Sequence, residues 1–154
     1  MTELEISVHD RTQIIRFDRP DKKNALKADM YTAMTEALQR GDASPDVTSH
    51  LFVGSGGVFT AGNDIAEFLA SGMKGGASLG APVVGFITRL PQVQKPMIAA
   101  VDGLAVGIGT TLLLHCDLVY ATPAASLRTP FLDLGLVPEA GSSLLAPLRM
   151  GYAR

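Results

Sequence analysis

The chain has 154 residues, of which 47% are hydrophobic and 18% are charged, and its formal net charge is -2. This length is enough for one domain with a real hydrophobic core. The near-neutral charge, without a basic cluster longer than Lys22-Lys23, gives no reason to expect a nucleic-acid or membrane partner. Cys116 is the single cysteine, which excludes an internal disulfide, and the acidic N-terminus lacks the apolar segment of a signal peptide. We therefore expect a soluble cytoplasmic protein.

The first third of the chain predicts paired strands followed by a long helix. Residues 4–8 alternate in polarity as a strand does, and residues 12–18 are the expected hairpin partner. Residues 24–40 carry apolar side chains at helical spacing and predict an amphipathic helix that ends at Gly41. A short buried strand is expected at residues 50–53.

The middle of the chain predicts two helices separated by a glycine-rich segment. A short helix is expected at residues 64–71, and a second one at residues 83–90, which Pro91 ends. Residues 74–82 are rich in glycine and predict a flexible loop. Residues 97–101 are fully apolar and predict a buried strand.

The last third continues this alternation. We expect a buried helix at residues 107–115, strands at residues 118–121 and 126–128, and a final helix at residues 141–150. Strands that alternate with helices, with glycines at the junctions, indicate an α/β layered fold. Backbone donors for a ligand are expected at these junctions, because the first N–H groups of a helix have no partner within it.

Glu139 is the main candidate for a catalytic side chain. Asp133 and Glu139 are the only acidic residues between positions 129 and 148, and Glu139 lies among Leu, Val, Ala and Gly. A poorly solvated carboxyl group has a raised pKa, which suits it to proton transfer. Asp133 is the local alternative, but the alternation around it directs it to solvent. Glu139 alone is also explained as an acid in the first turn of the final helix.

Two turns of small residues, at residues 59–64 and 107–109, are candidate donors of N–H groups to a developing oxyanion. The small side chain of Ala61 leaves its N–H accessible to a ligand, and the second turn begins an apolar helix. Each such donor contributes roughly 2.7–4 kcal/mol to transition-state stabilisation. The simpler explanation is that the glycines only permit tight turns and close packing.

Other reactive residues have structural explanations. Cys116 lies between apolar segments and is expected to be a buried, inert thiol. His9, His50 and His115 lie in or beside apolar segments and are expected to be structural. The sequence has no CxxC motif and no histidine pair at metal-ligand spacing, so we predict no metal site.

Taken together, these segments resemble the crotonase (enoyl-CoA hydratase/isomerase) superfamily over nearly the whole chain. The matching segments lie in family order at residues 19–26, 59–65, 95–103, 105–109, 116–117, 129–131 and 134–141. The resemblance implies one core domain over residues 1–154, built as a crotonase-like spiral of repeated ββα units. It also implies that the family's C-terminal helical region is missing, so that the chain is truncated and exposes apolar surface. The full-length protein would be a homotrimer or hexamer, and a peroxisomal signal in that region would be out of view.

Within the superfamily, the positions of the active-site acids distinguish the reactions. Hydratases carry two glutamates, and the matching positions here hold Thr111 and Phe131. The chain therefore looks most like the Δ3,Δ2-enoyl-CoA isomerases, in which a glutamate at the position of Glu139 moves the proton. Two alternatives stay open: another crotonase reaction, such as enoyl-CoA hydration or a dehalogenase-like reaction, and a non-catalytic acyl-CoA-binding module.

The resemblance implies a role for each candidate residue. The N–H groups of Ala61 and Ile108 would bind the thioester oxygen of a 3-enoyl-CoA, and Glu139 would move a proton from C2 to C4 through a dienolate. Lys22 or Lys23 would approach the CoA phosphates, or both would be ordinary surface lysines. No cofactor is implied, because coenzyme A is part of the substrate. The implied substrate-binding residues are Lys22, Ala61, Gly62, Asn63, Asp64, Ile65, Gly107, Pro130 and Phe131.

Overall fold

A five-stranded sheet forms the centre of the computed structural model, which describes residues 3–67 and 80–152. Its first two strands are antiparallel and all its other neighbouring pairs are parallel. In spatial order, its strands are β1 (Leu4–His9), β2 (Thr12–Phe17), β3 (Ser49–Gly54), β4 (Met97–Val101) and β6 (Leu118–Ala121). The strands β5 (Leu104–Val106) and β7 (Ser126–Arg128) pair in parallel as a separate small sheet.

Helices connect the strands, so the predicted α/β architecture is confirmed. The α-helices that lie wholly within the described residues are α1 (Ala28–Ala43), α2 (Ala81–Arg89), α3 (Ile108–Thr111) and α4 (Ser142–Met150). Short 3-10 helices lie at Pro20–Lys22, Leu90–Gln92 and Leu112–His115. The helix predicted at residues 107–115 is therefore one turn of α-helix that continues as a 3-10 helix.

The bounds of α1 differ from the prediction at both ends. Lys23 and Asn24 have φ angles of 51° and 55°, which are incompatible with a right-handed helix, and α1 begins only at Ala28. Gly41 does not end the helix. It lies inside α1, and a Cβ there would come within 2.5 Å of Cε1 of the buried His50, so close packing rather than helix termination explains this glycine.

Buried aromatic rings join the sheet to the segment that follows β3. The side chains of Phe17, Phe52 and Phe59 are completely buried. The ring of Phe17 packs edge-on against Phe59 at a centroid distance of 5.3 Å and lies 6.4 Å from Phe52. Aromatic pairs of this kind bury large areas in defined orientations. They therefore hold the segment that follows β3 in a defined position against the sheet.

The C-terminal half of the described chain exposes many apolar side chains. The four residues of β6 are all exposed, with Tyr120 at 65% of its full accessibility. Leu132, Val137 and Tyr152 are 92%, 82% and 91% exposed. The sequence led us to expect exposed apolar surface, and most of the side chains that provide it lie in β6, β7, α4 and the segment between β7 and α4.

Part of the predicted structure lies outside the described residues. The helix expected at residues 64–71 and the glycine-rich loop at residues 74–82 both extend into residues 68–79. Within residues 3–67 and 80–152, no helix has the length and apolarity needed to cross a bilayer.

Candidate active site

Backbone hydrogen bonds bring the two predicted donor turns together beside β5. Thr60 donates its N–H to Leu104 O at 3.0 Å and accepts one from Val106 N at 3.0 Å. The pairing of β5 with β7 places Val106 opposite Arg128. The segments that follow Thr60, Val106 and Arg128 in the chain therefore start from neighbouring positions.

Glycine is required where the first two segments meet. Gly62 has a φ angle of +85°, and a Cβ on this residue would lie 2.7 Å from Val106 O. Gly107 adopts φ 56° and ψ -119°, a combination that residues with a side chain rarely reach. The backbones therefore approach each other more closely than any other residue type would permit.

The N–H of Ala61 is already engaged within the protein. It donates to Lys23 O at 2.9 Å, which contradicts the prediction that Ala61 donates to a substrate oxygen. The neighbouring Gly62 N–H donates to Thr60 Oγ1 at 3.0 Å. Neither of these groups is available to a ligand.

Asn63 has the free N–H group in this turn. Gly62 O accepts from Leu26 N at 2.8 Å, and Asp64 N donates to Leu26 O at 2.9 Å, so both of these groups face Leu26. The N–H of the residue between them faces the opposite side, as the bonding pattern of a parallel bridge requires. Within the described residues, the Asn63 N–H has no hydrogen-bond partner.

In the second turn, Ile108 stays the predicted donor. The N–H of Gly107 donates to Arg128 O at 2.8 Å and is not available. Ile108 is the first residue of α3, and no acceptor for its N–H is found in the part of the chain that the structure describes. Asn63 and Ile108 are therefore the candidate donor pair, with Gly62 packed between their two chain segments.

The two carboxyl oxygens of Glu139 differ in their hydrogen bonding. Its Oε1 accepts a hydrogen bond from Thr111 Oγ1 at 2.6 Å. Its Oε2 is buried and has no partner among the described residues. Burial raises the pKa of the Glu139 carboxyl group above its ordinary value, and the hydrogen bond from Thr111 partly opposes this rise. A buried oxygen without a partner is the expected form of a proton acceptor before substrate binds.

The backbone around Glu139 does not support its interpretation as a helix-opening acid. Helix α4 begins at Ser142 and has no acidic residue in its first turn. Ala140 has a φ angle of 49°, and its carbonyl oxygen accepts a hydrogen bond from His115 Nε2 at 2.7 Å. His115, which the sequence predicts to be structural, therefore fixes the turn that presents Glu139.

The other candidate acids have different environments. Asp64 pairs with Arg19 at 2.7 Å between Oδ2 and Nη1, with side chains 15% and 14% exposed. The hydrogen bond from Arg19 lowers the pKa of the Asp64 carboxyl group, so this residue stays ionised. Asp133 is exposed, as predicted.

Comparison with known proteins decides the family. A family model described as enoyl-CoA hydratase/isomerase matches residues 9–154. The chain belongs to the enoyl-CoA hydratase/isomerase family. The resemblance to the crotonase superfamily is thereby confirmed.

Members of the enoyl-CoA hydratase/isomerase family with different reactions are similar to this chain. Enoyl-CoA delta isomerase 2 of Rattus norvegicus is 41% identical over 143 residues, which cover 91% of this chain and 36% of the rat protein. A probable enoyl-CoA hydratase of Mycobacterium leprae is 36% identical over 95% of this chain and 56% of its own length. Identity alone therefore does not separate isomerase from hydratase.

A solved structure of this family confirms the crotonase-like fold. The putative enoyl-CoA hydratase/carnithine racemase of Magnetospirillum magneticum AMB-1 superposes with a TM-score of 0.91 at 44% identity. The match covers 100% of this chain and 60% of that structure. The chain thus spans between about a third and three-fifths of the length of these relatives.

The remaining predicted site residues differ in how far they are buried. Pro130 and Phe131 are half-buried and lie shortly after β7. They follow Arg128, whose carbonyl oxygen accepts the hydrogen bond from the Gly107 N–H. Lys22 and Ile65 are exposed. The sequence did not point to Tyr31, whose hydroxyl donates to Asn63 Oδ1. In the sequence, Tyr31 is one more large residue on an amphipathic helix, so nothing distinguishes it from a core residue.

Proposed function

We propose that this chain carries the catalytic centre of an enoyl-CoA isomerase, which converts 3-enoyl-CoA into 2-enoyl-CoA. The observation that carries the proposal is the environment of Glu139, with Oε1 held by Thr111 and Oε2 buried without a partner. Such a carboxylate is oriented, poorly solvated and free to take a proton.

In the proposed reaction, Glu139 Oε2 removes a proton from C2 of the substrate. The C–H electron pair enters the conjugated system, and negative charge develops on the thioester oxygen of a dienolate. The N–H groups of Asn63 and Ile108 donate to that oxygen. Such fixed donors stabilise the transition state because they need no reorganisation as the charge forms. Glu139 then returns the proton to C4, which gives the conjugated product without consuming water.

The residues at the two hydratase positions favour isomerisation over hydration. Hydration needs groups that activate a water molecule and protonate the adjacent carbon, and the corresponding positions hold Thr111 and Phe131. The hydroxyl of Thr111 instead donates to Glu139. A single base that moves one proton between two carbons requires no further acid.

The proposed substrate class is an acyl-CoA thioester, in keeping with the family description and with the names of the relatives. The backbone from Ala61 to Ile65 would bind the CoA moiety at the rim of the donor turn, and exposed Lys22 would approach its phosphates. Among the described residues, the Ala61 carbonyl has no hydrogen-bond partner, so this group, rather than the engaged Ala61 N–H, would make the contact.

The test is the variant Glu139→Gln, assayed with a 3-enoyl-CoA in deuterated buffer. We expect it to lose both isomerisation and proton exchange at C2 while it still binds the thioester. The variant Asp133→Asn is the matched control, because Asp133 is a nearby acid that is exposed, and we expect it to retain the parental rate.

Three results would contradict the proposal. Parental turnover by Glu139→Gln would show that another group is the base. Incorporation of labelled oxygen from water into the product would favour hydration. Tight thioester binding by the parent, with no exchange at C2, would favour a non-catalytic binding module.

A further inference from the structure

We propose that Tyr31 is a positioning residue, which orients the oxyanion donor Asn63 through a hydrogen bond to its side chain. This inference rests on the proposed function, because it assumes that the Asn63 N–H binds a thioester oxygen. It adds a residue on α1, remote from the glycine turns in sequence, to the machinery of the site.

The phenol of Tyr31 is held from several sides. Its side chain is 1% exposed, and its ring packs against Phe86 of α2 at a centroid distance of 5.6 Å and an interplanar angle of 56°. Its hydroxyl donates to Asn63 Oδ1. Two helices thus fix the ring, and the ring in turn fixes the asparagine side chain.

Within the part of the chain that the structure describes, neither backbone group of Asn63 has a hydrogen-bond partner. The carbonyl of Gly62 and the N–H of Asp64 attach the neighbouring residues to Leu26. These bonds define one side of the turn only. Within the described residues, the hydrogen bond from Tyr31 is the one that holds residue 63 itself. The side chain is attached to the Cα of the planar peptide unit that carries the Asn63 N–H, so holding the side chain also restrains the direction of that N–H.

The state of the phenol is suited to this role. Burial, with a smaller contribution from the charge on Glu139, raises the pKa of the Tyr31 hydroxyl well above its ordinary value. The hydroxyl therefore remains a neutral donor at physiological pH, and Asn63 Oδ1 is the acceptor. Tyr31 then orients the donor and takes no proton from the substrate.

The experiment measures the strength of the oxyanion site with acetoacetyl-CoA, a β-ketoacyl thioester. Its enolate absorbs ultraviolet light differently from its keto form, so the fraction of bound enolate reports on the donors without turnover. We expect Tyr31→Phe to lower the bound enolate-to-keto ratio about three- to tenfold, the usual range for loss of one hydrogen bond. We expect a fall of similar size in kcat for a 3-enoyl-CoA, with little change in KM.

A double-mutant cycle identifies the path of the effect. Asn63→Ala keeps the backbone N–H but removes the acceptor of the Tyr31 bond, so we expect the same loss from this variant. We also expect the double variant to lose no more than either single variant. Tyr120→Phe is the matched control, because Tyr120 is 65% exposed and its hydroxyl has no partner among the described residues.

The outcomes separate this inference from the proposed function. If the parent itself does not favour the bound enolate, the proposed oxyanion site is wrong and the role of Tyr31 is overturned with it. If the parent favours the enolate and Tyr31→Phe does so equally, only the role of Tyr31 is overturned. Additive losses in the double variant would also overturn it, because Tyr31 would then act on folding rather than through Asn63.

Discussion

Replacing Thr111 by valine tests how the active-site carboxyl group is controlled. The change keeps the shape of the side chain and removes only the hydroxyl, which donates to Glu139 Oε1 at 2.6 Å. The donor side chain is completely buried, so water does not simply replace it. After the substitution, both carboxyl oxygens of Glu139 lack a protein partner among the described residues.

The size of the effect follows from the charge of the acceptor. A hydrogen bond to a charged group contributes about 1.5–3 kcal/mol, which corresponds to a factor of roughly 10 to 160 in an equilibrium constant. The bond favours the ionised form of Glu139, so its loss shifts the ionisation equilibrium toward the neutral acid by up to this factor. The pKa of Glu139, already raised by burial, rises further.

Two measurements check this expectation. A pH titration of the Glu139 carboxyl carbon by NMR, assigned with Glu139→Gln, follows the ionisation directly and needs no turnover. The acid limb of the kcat/KM profile should move to higher pH by the same amount. At neutral pH, the variant should therefore be slower, and it should recover most of its rate in more alkaline buffer.

The control is Thr88→Val, which removes a hydroxyl bonded only to backbone carbonyls on the exposed side of α2. It should leave both profiles unchanged. If Thr111→Val leaves the titration of Glu139 unchanged, the hydrogen bond does not control the carboxyl group. If the variant loses rate equally at every pH, Thr111 acts by positioning alone and the argument from ionisation is refuted.

Three further predictions concern stability and reactivity. Burial raises the pKa of Glu139, so the ionised carboxylate destabilises the folded parent, whereas Glu139→Gln carries no such charge. The unfolding free energy of Glu139→Gln relative to the parent should therefore increase as the pH rises from the ordinary glutamate pKa of 4.5 through the raised pKa. Denaturant melts at several pH values measure this difference. Gly62→Ala should destabilise the chain by at least about 1 kcal/mol because of its positive φ, whereas Gly85→Ala, whose Cβ would meet no atom within 4 Å, should be neutral or stabilising in the same melts. Burial raises the pKa of the Cys116 thiol to about 12, so alkylation at pH 8 should be slow in the folded chain and fast in denaturant.

The sequence predicted most strands, and Glu139 stays the predicted base, but the reasoning about the surroundings of Glu139 was only partly correct. Its apolar neighbours in the chain suggested desolvation, yet Leu134 and Val137 are 63% and 82% exposed. The carboxyl group is instead enclosed by tertiary contacts, including Thr111, which lies 28 positions earlier in the chain. The apolar sequence context therefore indicated a buried carboxyl group at Glu139 without describing what surrounds it.

The error at Ala61 has a different origin. A small side chain makes a backbone accessible, but accessibility of the N–H depends on the direction in which it points. Lys23 O occupies the Ala61 N–H, and the free group occurs two residues later at Asn63. This direction is set by pairing with residues 23–26, which composition does not reveal. The sequence also missed β5, because its three residues between Gly103 and Gly107 read as part of a glycine turn.

The segment at residues 19–26 matches the family although it contributes structural hydrogen bonds rather than a catalytic group. Asn24 is completely buried, and its Nδ2 donates to Ser55 O at 2.9 Å and to Val58 O at 2.7 Å. Its own carbonyl oxygen accepts from Thr60 Oγ1 at 2.6 Å, and Arg19 pairs with Asp64.

These contacts attach the donor turn to the N-terminal part of the chain on the side that faces Leu26, while Tyr31 contacts Asn63 directly through its side chain. A free N–H in a buried turn is stable only if the residues around it are fully bonded, since an unpaired polar group already costs free energy. Residues 19–26 therefore resemble the family because they hold the donor turn in place, not because they react. A substitution at Asn24 should accordingly reduce the stability of the fold before it changes the chemistry.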